Sequence, residues 1–134
     1  GYDPTFLAPS AHQAEQRGRD RPLTLGYLGT IYGPMPMRET LDGWRLARAR
    51  SPLAAAARFV IRGRLGHYST PDAATAALID EYADDGVVYG GPVSKAEVAG
   101  VYAEFDALAL ILGRSPYITS GKVFEYAATG LPVV

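Results

Sequence analysis

The sequence predicts an α/β domain built on a doubly wound parallel sheet. From residue 23 onwards, short apolar segments alternate with segments of helical periodicity. These apolar segments carry few polar residues, which is typical of parallel strands covered by helices on both faces. The first three of them end at glycine, at the point where such a fold turns from strand to helix. In sheets of this class the ligand binds at the carboxyl ends of the strands.

Five strands are predicted from runs of apolar residues bounded by glycine or polar residues. They cover residues 23–28, 58–61, 87–89 and 107–112, and a fifth that begins at Leu131. The fourth run, Ala-Leu-Ala-Leu-Ile-Leu, is continuously apolar, as expected of a strand in the middle of a covered sheet.

Four helices are expected between these strands. The first covers about residues 37–50, with an apolar side of Met37, Leu41, Trp44 and Ala47. The second opens at Thr70-Pro71, because proline is favoured in the first helical position, and its apolar side is Ala74, Leu78 and Tyr82. Ser94 and Glu97 have capping-box spacing before the third. Thr119 or Ser120 caps the fourth, which ends at Gly130.

Two regions differ in composition. Residues 1–22 are polar and show no periodicity, which predicts an interdomain linker, and residues 23–134 form the domain. Because residue 134 falls where the fifth strand has just begun, we expect the domain to be incomplete at its C-terminal end.

The composition and net charge of the chain exclude several classes of function. A net charge of −1 argues against a nucleic-acid-binding protein, which usually carries a basic face. The chain has no cysteine, which excludes disulfides and thiolate metal sites and fits a cytoplasmic protein. No apolar run approaches the roughly 18 residues of a membrane span. His12 and His67 have no ligand partners at metal-site spacing, so we predict no metal.

The loops after the first three strands contain the first candidate site residues, because glycine there lets backbone N–H groups approach a ligand. These candidates are Gly29, Thr30, Tyr32 and Gly33, then Gly63 and Arg64, then Gly90 and Val93. Alternatively, each loop is a simple tight turn without a ligand, and Arg64 is a solvated surface charge.

The start of the last helix contains the other candidates. Thr119, Ser120 and Gly121 are small residues that would leave helix N–H groups free for an anion. Lys122 adds a cation there, and Glu125, one turn after Gly121, suits the hydroxyls of a ribose. The alternative is a solvated helix surface.

Four segments resemble the GT-B-fold glycosyltransferases of the retaining family-4 type. They are Ser-Gly-Lys-Val-Phe-Glu-Tyr-Ala-Ala-Thr-Gly-Leu-Pro-Val-Val at the C-terminal end, Gly-Tyr-Asp-Pro at residue 1, Gly-Tyr-Leu-Gly-Thr-Ile-Tyr-Gly in the first loop and Val-Val-Tyr-Gly-Gly-Pro-Val-Ser in the third. They occur in the family's order over nearly the whole chain. The resemblance implies the Rossmann-like C-terminal lobe, which binds the donor nucleotide sugar.

The resemblance also implies roles for individual residues. The loop from Gly29 to Gly33 and the helix start at Ser120, Gly121 and Lys122 would face the diphosphate of the donor. Glu125 would take the ribose hydroxyls, and the loop from Gly90 to Val93 would border the base. No cofactor besides the donor is implied, and the base stays open. The N-terminal lobe of the same chain would bind the acceptor and make any peripheral membrane contact.

The sequence departs from the family pattern at two positions. Tyr117 stands where the first of two motif glutamates is expected, and Thr30 stands where arginine is common. Neutralisation of the phosphates would then depend on Lys122, Arg38, Arg62 or Arg64. We expect an isolated lobe to bind donor without catalysing transfer. The alternatives are a sugar-nucleotide epimerase of the same fold and a non-catalytic interaction domain.

Overall fold

The computed structural model describes residues 21–31, 35–66, 73–113 and 122–134, and within them helices pack on a parallel sheet. The strands are β1 (Thr24–Leu28), β2 (Arg58–Arg62), β3 (Val87–Tyr89) and β4 (Ala107–Leu108). The helices are α1 (Met37–Arg50), α2 (Ala73–Asp80), α3 (Val98–Tyr102) and α4 (Lys122–Thr129), with 3₁₀ turns at Ala83–Asp85 and Lys95–Glu97. The predicted α/β class with a parallel sheet is confirmed. The predicted caps at Thr70-Pro71, Thr119 and Ser120 and nearly all of the 1–22 linker lie outside the described residues.

The strands pair in the order β3-β2-β1-β4, and every pairing is parallel. Val133 makes a parallel bridge to Leu108, so the segment predicted as the fifth strand lies beyond β4. The resulting order, 3-2-1-4-5, is that of the first five strands of a Rossmann fold, in which the ligand crevice lies outside the carboxyl ends of the strands.

The fourth strand is shorter than predicted. Residues 107–112 were expected to form one strand, whereas β4 covers Ala107–Leu108. Ala109 N–H still donates to Gly26 C=O at 2.8 Å, but Leu110 N–H donates to Val134 C=O. The next β1 donor, Leu28 N–H, bonds to the Tyr126 hydroxyl, so the ladder with β1 ends there. The segment stays paired with the C-terminal residues as far as Leu110, and Leu112 is exposed.

The core has two halves, one on each face of the sheet. Successive side chains of β1 point to opposite faces of the sheet. Tyr27 belongs to the half of the core under α1 and α2, and Leu28 to the half under α3 and α4. Phe59 and Ile61 of β2 are completely buried on the first side, and Leu108 on the second. Burial on both faces explains why the strands carry almost no polar residues.

The helices bury slightly different faces from those predicted. In α1, Met37 and Leu41 are buried as expected, whereas Ala47 is exposed. In α2 the buried residues are Thr75 and Ile79, which were not predicted. Of the predicted apolar side, Leu78 packs partly buried against the core, whereas Ala74 is exposed.

Tyr82 gives the physical reason for this difference in α2. It is predicted correctly as buried, and its hydroxyl donates to Asp42 while the Arg45 guanidinium lies 4.2 Å above its ring. With Tyr82 held under α1, the residues three and seven positions before it turn towards the core.

The middle of α1 is joined to the 3₁₀ turn before β3, at the amino edge of the sheet. Trp44 Nε1–H donates to Asp85 C=O at 2.8 Å, and Arg45 pairs with the Asp85 carboxylate at 2.8 Å. No helix within the described ranges is long and apolar enough to cross a membrane.

Gly26 and Gly43 give a matched test of this packing. A Cβ on Gly26 would lie 2.1 Å from the Phe105 ring, whereas a Cβ on Gly43, in the middle of α1, meets no atom within 4 Å. We expect Gly26→Ala to lower the free energy of unfolding by about 1–3 kcal/mol through overpacking. Gly43→Ala should raise it by about 0.5–1 kcal/mol, because alanine favours the helix. Urea denaturation of both variants measures the difference, and an unchanged Gly26→Ala protein would contradict the described β1–Phe105 packing.

Candidate functional site

The loops after β1, β2 and β3 are joined by backbone hydrogen bonds at the carboxyl edge of the sheet. Gly29 N–H donates to Arg62 C=O at 2.9 Å, and Gly63 N–H donates to Gly91 C=O at 2.9 Å. Ile31 N–H donates to Arg64 C=O at 2.8 Å, which links the first two loops again one step further out. These bonds bring Gly29, Gly63 and the loop after Gly90 together at the carboxyl edge of the sheet.

Gly63 is the position where this contact requires glycine. Its φ is +128°, and a Cβ there would lie 1.9 Å from the carbonyl oxygen of Gly29. No other residue type could occupy the position without moving two backbones apart. The glycines of these loops therefore have a structural role of their own, and their proximity does not by itself indicate a ligand.

A pocket of about 390 Å³ opens beside these loops. It is lined by five residues named from the sequence, namely Gly29, Thr30, Gly63, Arg64 and Val93. The other lining residues are Leu28, Pro92, Ser94 and Val98. None of them was an individual site candidate: Pro92 was predicted only as part of the loop from Gly90 to Val93, and Ser94 only as a helix cap. The capping-box position of Ser94 was a signal that could have identified one of them.

The capping box stabilises the segment after β3, which forms one wall of the pocket. Ser94 N–H donates to the Glu97 carboxylate at 2.9 Å, as the S-x-x-E spacing predicts. This hydrogen bond lowers the pKa of Glu97. Gly90 does not line the pocket, and its missing side chain makes room for the stem of Arg62.

Lys122, the first residue of α4, lies across the end of β1. Its ammonium donates to Leu28 C=O and stands 5.7 Å and 5.8 Å from the ring centres of Tyr27 and Tyr126. A Cβ on Gly29 would lie 2.2 Å from Lys122 Cε, so glycine is required for the lysine to lie there. Burial lowers the pKa of Lys122, and the charge of Glu125 opposes that shift.

Glu125 lies one turn further along α4 and is partly exposed. Its Oε1 accepts a hydrogen bond from the Tyr102 hydroxyl at 2.6 Å. Tyr126, the next residue, is fully buried, and its hydroxyl accepts the N–H of Leu28 at 3.2 Å. Lys122 and Tyr126 together fix the helix to both backbone groups of Leu28, one on the carbonyl and one on the amide.

The three arginines considered as phosphate partners have different surroundings. Arg64 is exposed and lines the pocket. Arg62 Nε–H donates to Gly91 C=O at 3.3 Å, which gives it a role in holding the loops together. Arg38 pairs with Glu81 at 3.2 Å on the surface and does not line the pocket. Arg64 is therefore the arginine that the fold presents to a ligand.

Five site candidates lie outside the described residues. They are Tyr32, Gly33, Thr119, Ser120 and Gly121. The same holds for Tyr117, for His12 and for His67. Among the residues that are described, no three His, Asp or Glu side chains are grouped as a metal ion would need.

The charges around the pocket favour a ligand that carries both an anion and hydroxyl groups. Arg64 supplies a guanidinium at the rim. Lys122 lies behind Gly29 and Glu125 one turn further along α4, and neither lines the pocket. They offer an ammonium, and a carboxylate that can accept hydroxyl hydrogens, to a ligand that extends beyond the pocket. Pro92, Val93 and Val98 add an apolar wall.

No protein-family model matches the chain, and no curated protein matches it in sequence. Solved structures do match it in fold. HepE from Anabaena, in complex with UDP-glucose, superposes with a TM-score of 0.67 at 15% identity, covering 99% of this chain and 36% of HepE. HepE with UDP and glucose gives 0.62 at 16% identity, with 99% and 35% covered.

The C-terminal domain of LpcC, a glycosyl transferase group 1 family protein from Francisella tularensis, gives a TM-score of 0.69 at 15% identity. The match covers 99% of this chain and 69% of the LpcC domain. The chain thus spans about a third of the length of HepE. The predicted resemblance is confirmed at the level of architecture, and the chain has the fold of the C-terminal domain of GT-B glycosyltransferases.

Proposed function

We propose that this chain is the donor-binding lobe of a glycosyltransferase that uses a nucleoside-diphosphate sugar. The observation that carries the proposal is the pocket at the carboxyl edge, bordered by three backbone loops with Lys122 behind them. In a fold of this class that edge is where a nucleotide binds. HepE, which shares the fold, is a protein crystallised with UDP-glucose.

The diphosphate is assigned to Arg64, Lys122 and the amino end of α4. A guanidinium pairs well with phosphate oxygens, and a helix N-terminus attracts an anion. The Lys122 ammonium has three donors, so it can keep its hydrogen bond to Leu28 C=O while it approaches the phosphates. Ser120 and Gly121 are proposed to add backbone donors at the same place.

The nucleoside is assigned to the two sides of the pocket. Glu125 accepts the ribose hydroxyls, because a carboxylate has acceptor positions beyond the one that Tyr102 occupies. The loop from Gly90 to Val93 borders the base, and Pro92 and Val93 provide an apolar surface against its face. Uridine diphosphate is the first probe, with guanosine and adenosine diphosphates beside it.

Catalysis is proposed to be electrostatic. The bond between the anomeric carbon and the β-phosphate oxygen breaks with its electrons on that oxygen, and Arg64 and Lys122 stabilise the negative charge of the leaving nucleoside diphosphate. The oxygen of an acceptor hydroxyl then bonds to the anomeric carbon with the configuration retained, and the hydroxyl proton passes to the β-phosphate oxygen that has just been released. The acceptor is assigned to the other lobe of the protein, and no metal or cofactor is part of the proposal.

Product analysis with the complete protein tests the activity itself. A new glycoside supports transfer, whereas an epimerised nucleotide sugar or free sugar would identify an epimerase or hydrolase of the same fold. Absence of any turnover of the donor would support a non-catalytic interaction domain.

Glu125→Gln tests the ribose assignment. A hydrogen bond to a charged group contributes roughly 1.5–3 kcal/mol, so we expect nucleoside-diphosphate binding to weaken about tenfold or more. Inorganic pyrophosphate has no ribose, and its affinity should stay nearly unchanged. Isothermal titration calorimetry with both ligands measures the two effects.

The control for this experiment is Glu104→Gln, which removes the same charge at an exposed position outside α4. It should leave both affinities unchanged. Equal weakening of pyrophosphate and nucleotide by Glu125→Gln would show that Glu125 maintains the shape of the site and does not bind ribose.

Lys122→Met tests the diphosphate assignment, because methionine keeps most of the stem over Gly29 and removes the charge. Both ligands should bind about tenfold less tightly, since a charged hydrogen bond to the shared diphosphate is lost. A variant that binds pyrophosphate as tightly as the wild type would contradict the assignment.

The pH dependence gives a second measurement on Lys122. Its folded pKa is lowered below the ordinary 10.5 by burial, so the folded protein binds fewer protons than the unfolded chain between the two values. Its contribution to stability therefore rises with pH through that window. Pyrophosphate affinity should change in the opposite direction and fall there, because the ammonium is lost. The pH profile of Lys122→Met should lack this alkaline decrease.

A further inference from the structure

One hydrogen bond connects α3 to α4 beside the pocket. Tyr102, the last residue of α3, donates its hydroxyl to Glu125 Oε1 at 2.6 Å. Tyr102 is only 1% exposed, whereas Glu125 is partly exposed. The bond therefore joins a donor in the core to a carboxylate that is partly open to solvent.

The Tyr102 ring is held in one orientation by its aromatic neighbours. It packs edge-on against Tyr126, with ring centres 6.0 Å apart and an interplanar angle of 88°, and against Phe105 at 6.5 Å and 84°. Edge-to-face contacts of this kind are the favoured geometry of aromatic pairs. The hydroxyl consequently has little freedom to follow Glu125, so Glu125 must come to the hydroxyl.

The hydroxyl also remains a donor over the whole physiological range. Burial raises the pKa of Tyr102 well above its ordinary value, and the negative charge of Glu125 adds to the shift. A protonated phenol beside a carboxylate can only donate to it, which determines the direction of the hydrogen bond.

Both residues stand one helical turn from residues at the pocket. Val98 lines the pocket and precedes Tyr102 by four positions on α3. Lys122, which lies against the pocket residue Gly29, precedes Glu125 by three positions on α4. Residues at these spacings share a helix face, so the Tyr102–Glu125 bond connects the two helices that flank the pocket.

We propose that Tyr102 is a positioning residue that fixes Glu125 for the ribose hydroxyls of the nucleotide. By holding Oε1, it sets the carboxylate rotamer before the ligand arrives and directs Oε2 towards the diol. A carboxylate ordered in advance does not lose rotamer entropy on binding, which favours the nucleotide over the bare diphosphate. The inference rests on the proposed function, because it needs Glu125 to meet a ribose.

Tyr102→Phe tests the inference, and Tyr82→Phe is its matched control. Both tyrosines are buried and both donate to a carboxylate, but the partner of Tyr82 is Asp42 on α1, which does not line the pocket. Tyr102→Phe should weaken nucleoside-diphosphate binding about three- to tenfold, which is the order expected for loss of one ordered side chain. It should leave pyrophosphate binding within about twofold, and Tyr82→Phe should change neither.

A double variant separates positioning from a merely structural contact. Once Glu125 is glutamine, the carboxylate that Tyr102 orients is gone, so Tyr102→Phe should weaken nucleotide binding by less than twofold in the Glu125→Gln background. Thermal melts of the two Phe variants monitor folding, and comparable decreases in Tm are expected because each loses one tyrosine–carboxylate bond.

Three results would overturn the inference. The first is a Tyr102→Phe variant that binds the nucleotide as tightly as the wild type, a result that would not affect the proposed function. Another is equal weakening of pyrophosphate and nucleotide, which would make Tyr102 a structural residue of the whole site. The last is a wild-type protein that binds neither ligand, in which case the proposed function fails as well.

Discussion

The site depends on one close contact between two backbones, where the α-carbon of Gly63 lies against the carbonyl oxygen of Gly29. A Cβ at Gly63 would separate the loops after β1 and β2 and would break the hydrogen bonds that join the first loop to the second and the second to the loop after β3. Gly29 has a second role, because it leaves the space that Lys122 occupies. Backbone without side chains thus forms the floor of the pocket and admits the cation beside it.

The same cation holds the fold together and is proposed to bind the ligand. Lys122 donates to the carbonyl of Leu28, and Tyr126 accepts its amide, so α4 is attached to the end of β1 at both of its backbone groups. A diphosphate at the pocket would bind the same ammonium that donates to Leu28 C=O. Ligand binding is in this way coupled to the packing of α4, and through Glu125 to Tyr102 and α3.

Local patterns in the sequence predicted what depends on local forces. The bounds of α1 and β3 and the capping box at Ser94 agree with the structure, because periodicity and capping act within one turn or strand. β4 was predicted too long, since its length depends on where β1 and the C-terminal residues pair with it. Contacts between distant segments, such as Tyr102 with Glu125 or Arg38 with Glu81, leave no periodic signal.

The central claim is that a nucleoside diphosphate binds at the carboxyl edge of this sheet. The most direct test follows the backbone amide resonances of the protein by NMR while uridine, guanosine or adenosine diphosphate is added. The account predicts shifts at Thr30, Gly63, Arg64 and Val93, with the indole N–H of Trp44 unmoved, because that group bonds Asp85 at the opposite edge. Shifts centred on Trp44, or saturating amounts of all three nucleotides without any shift in the pocket loops, would contradict it.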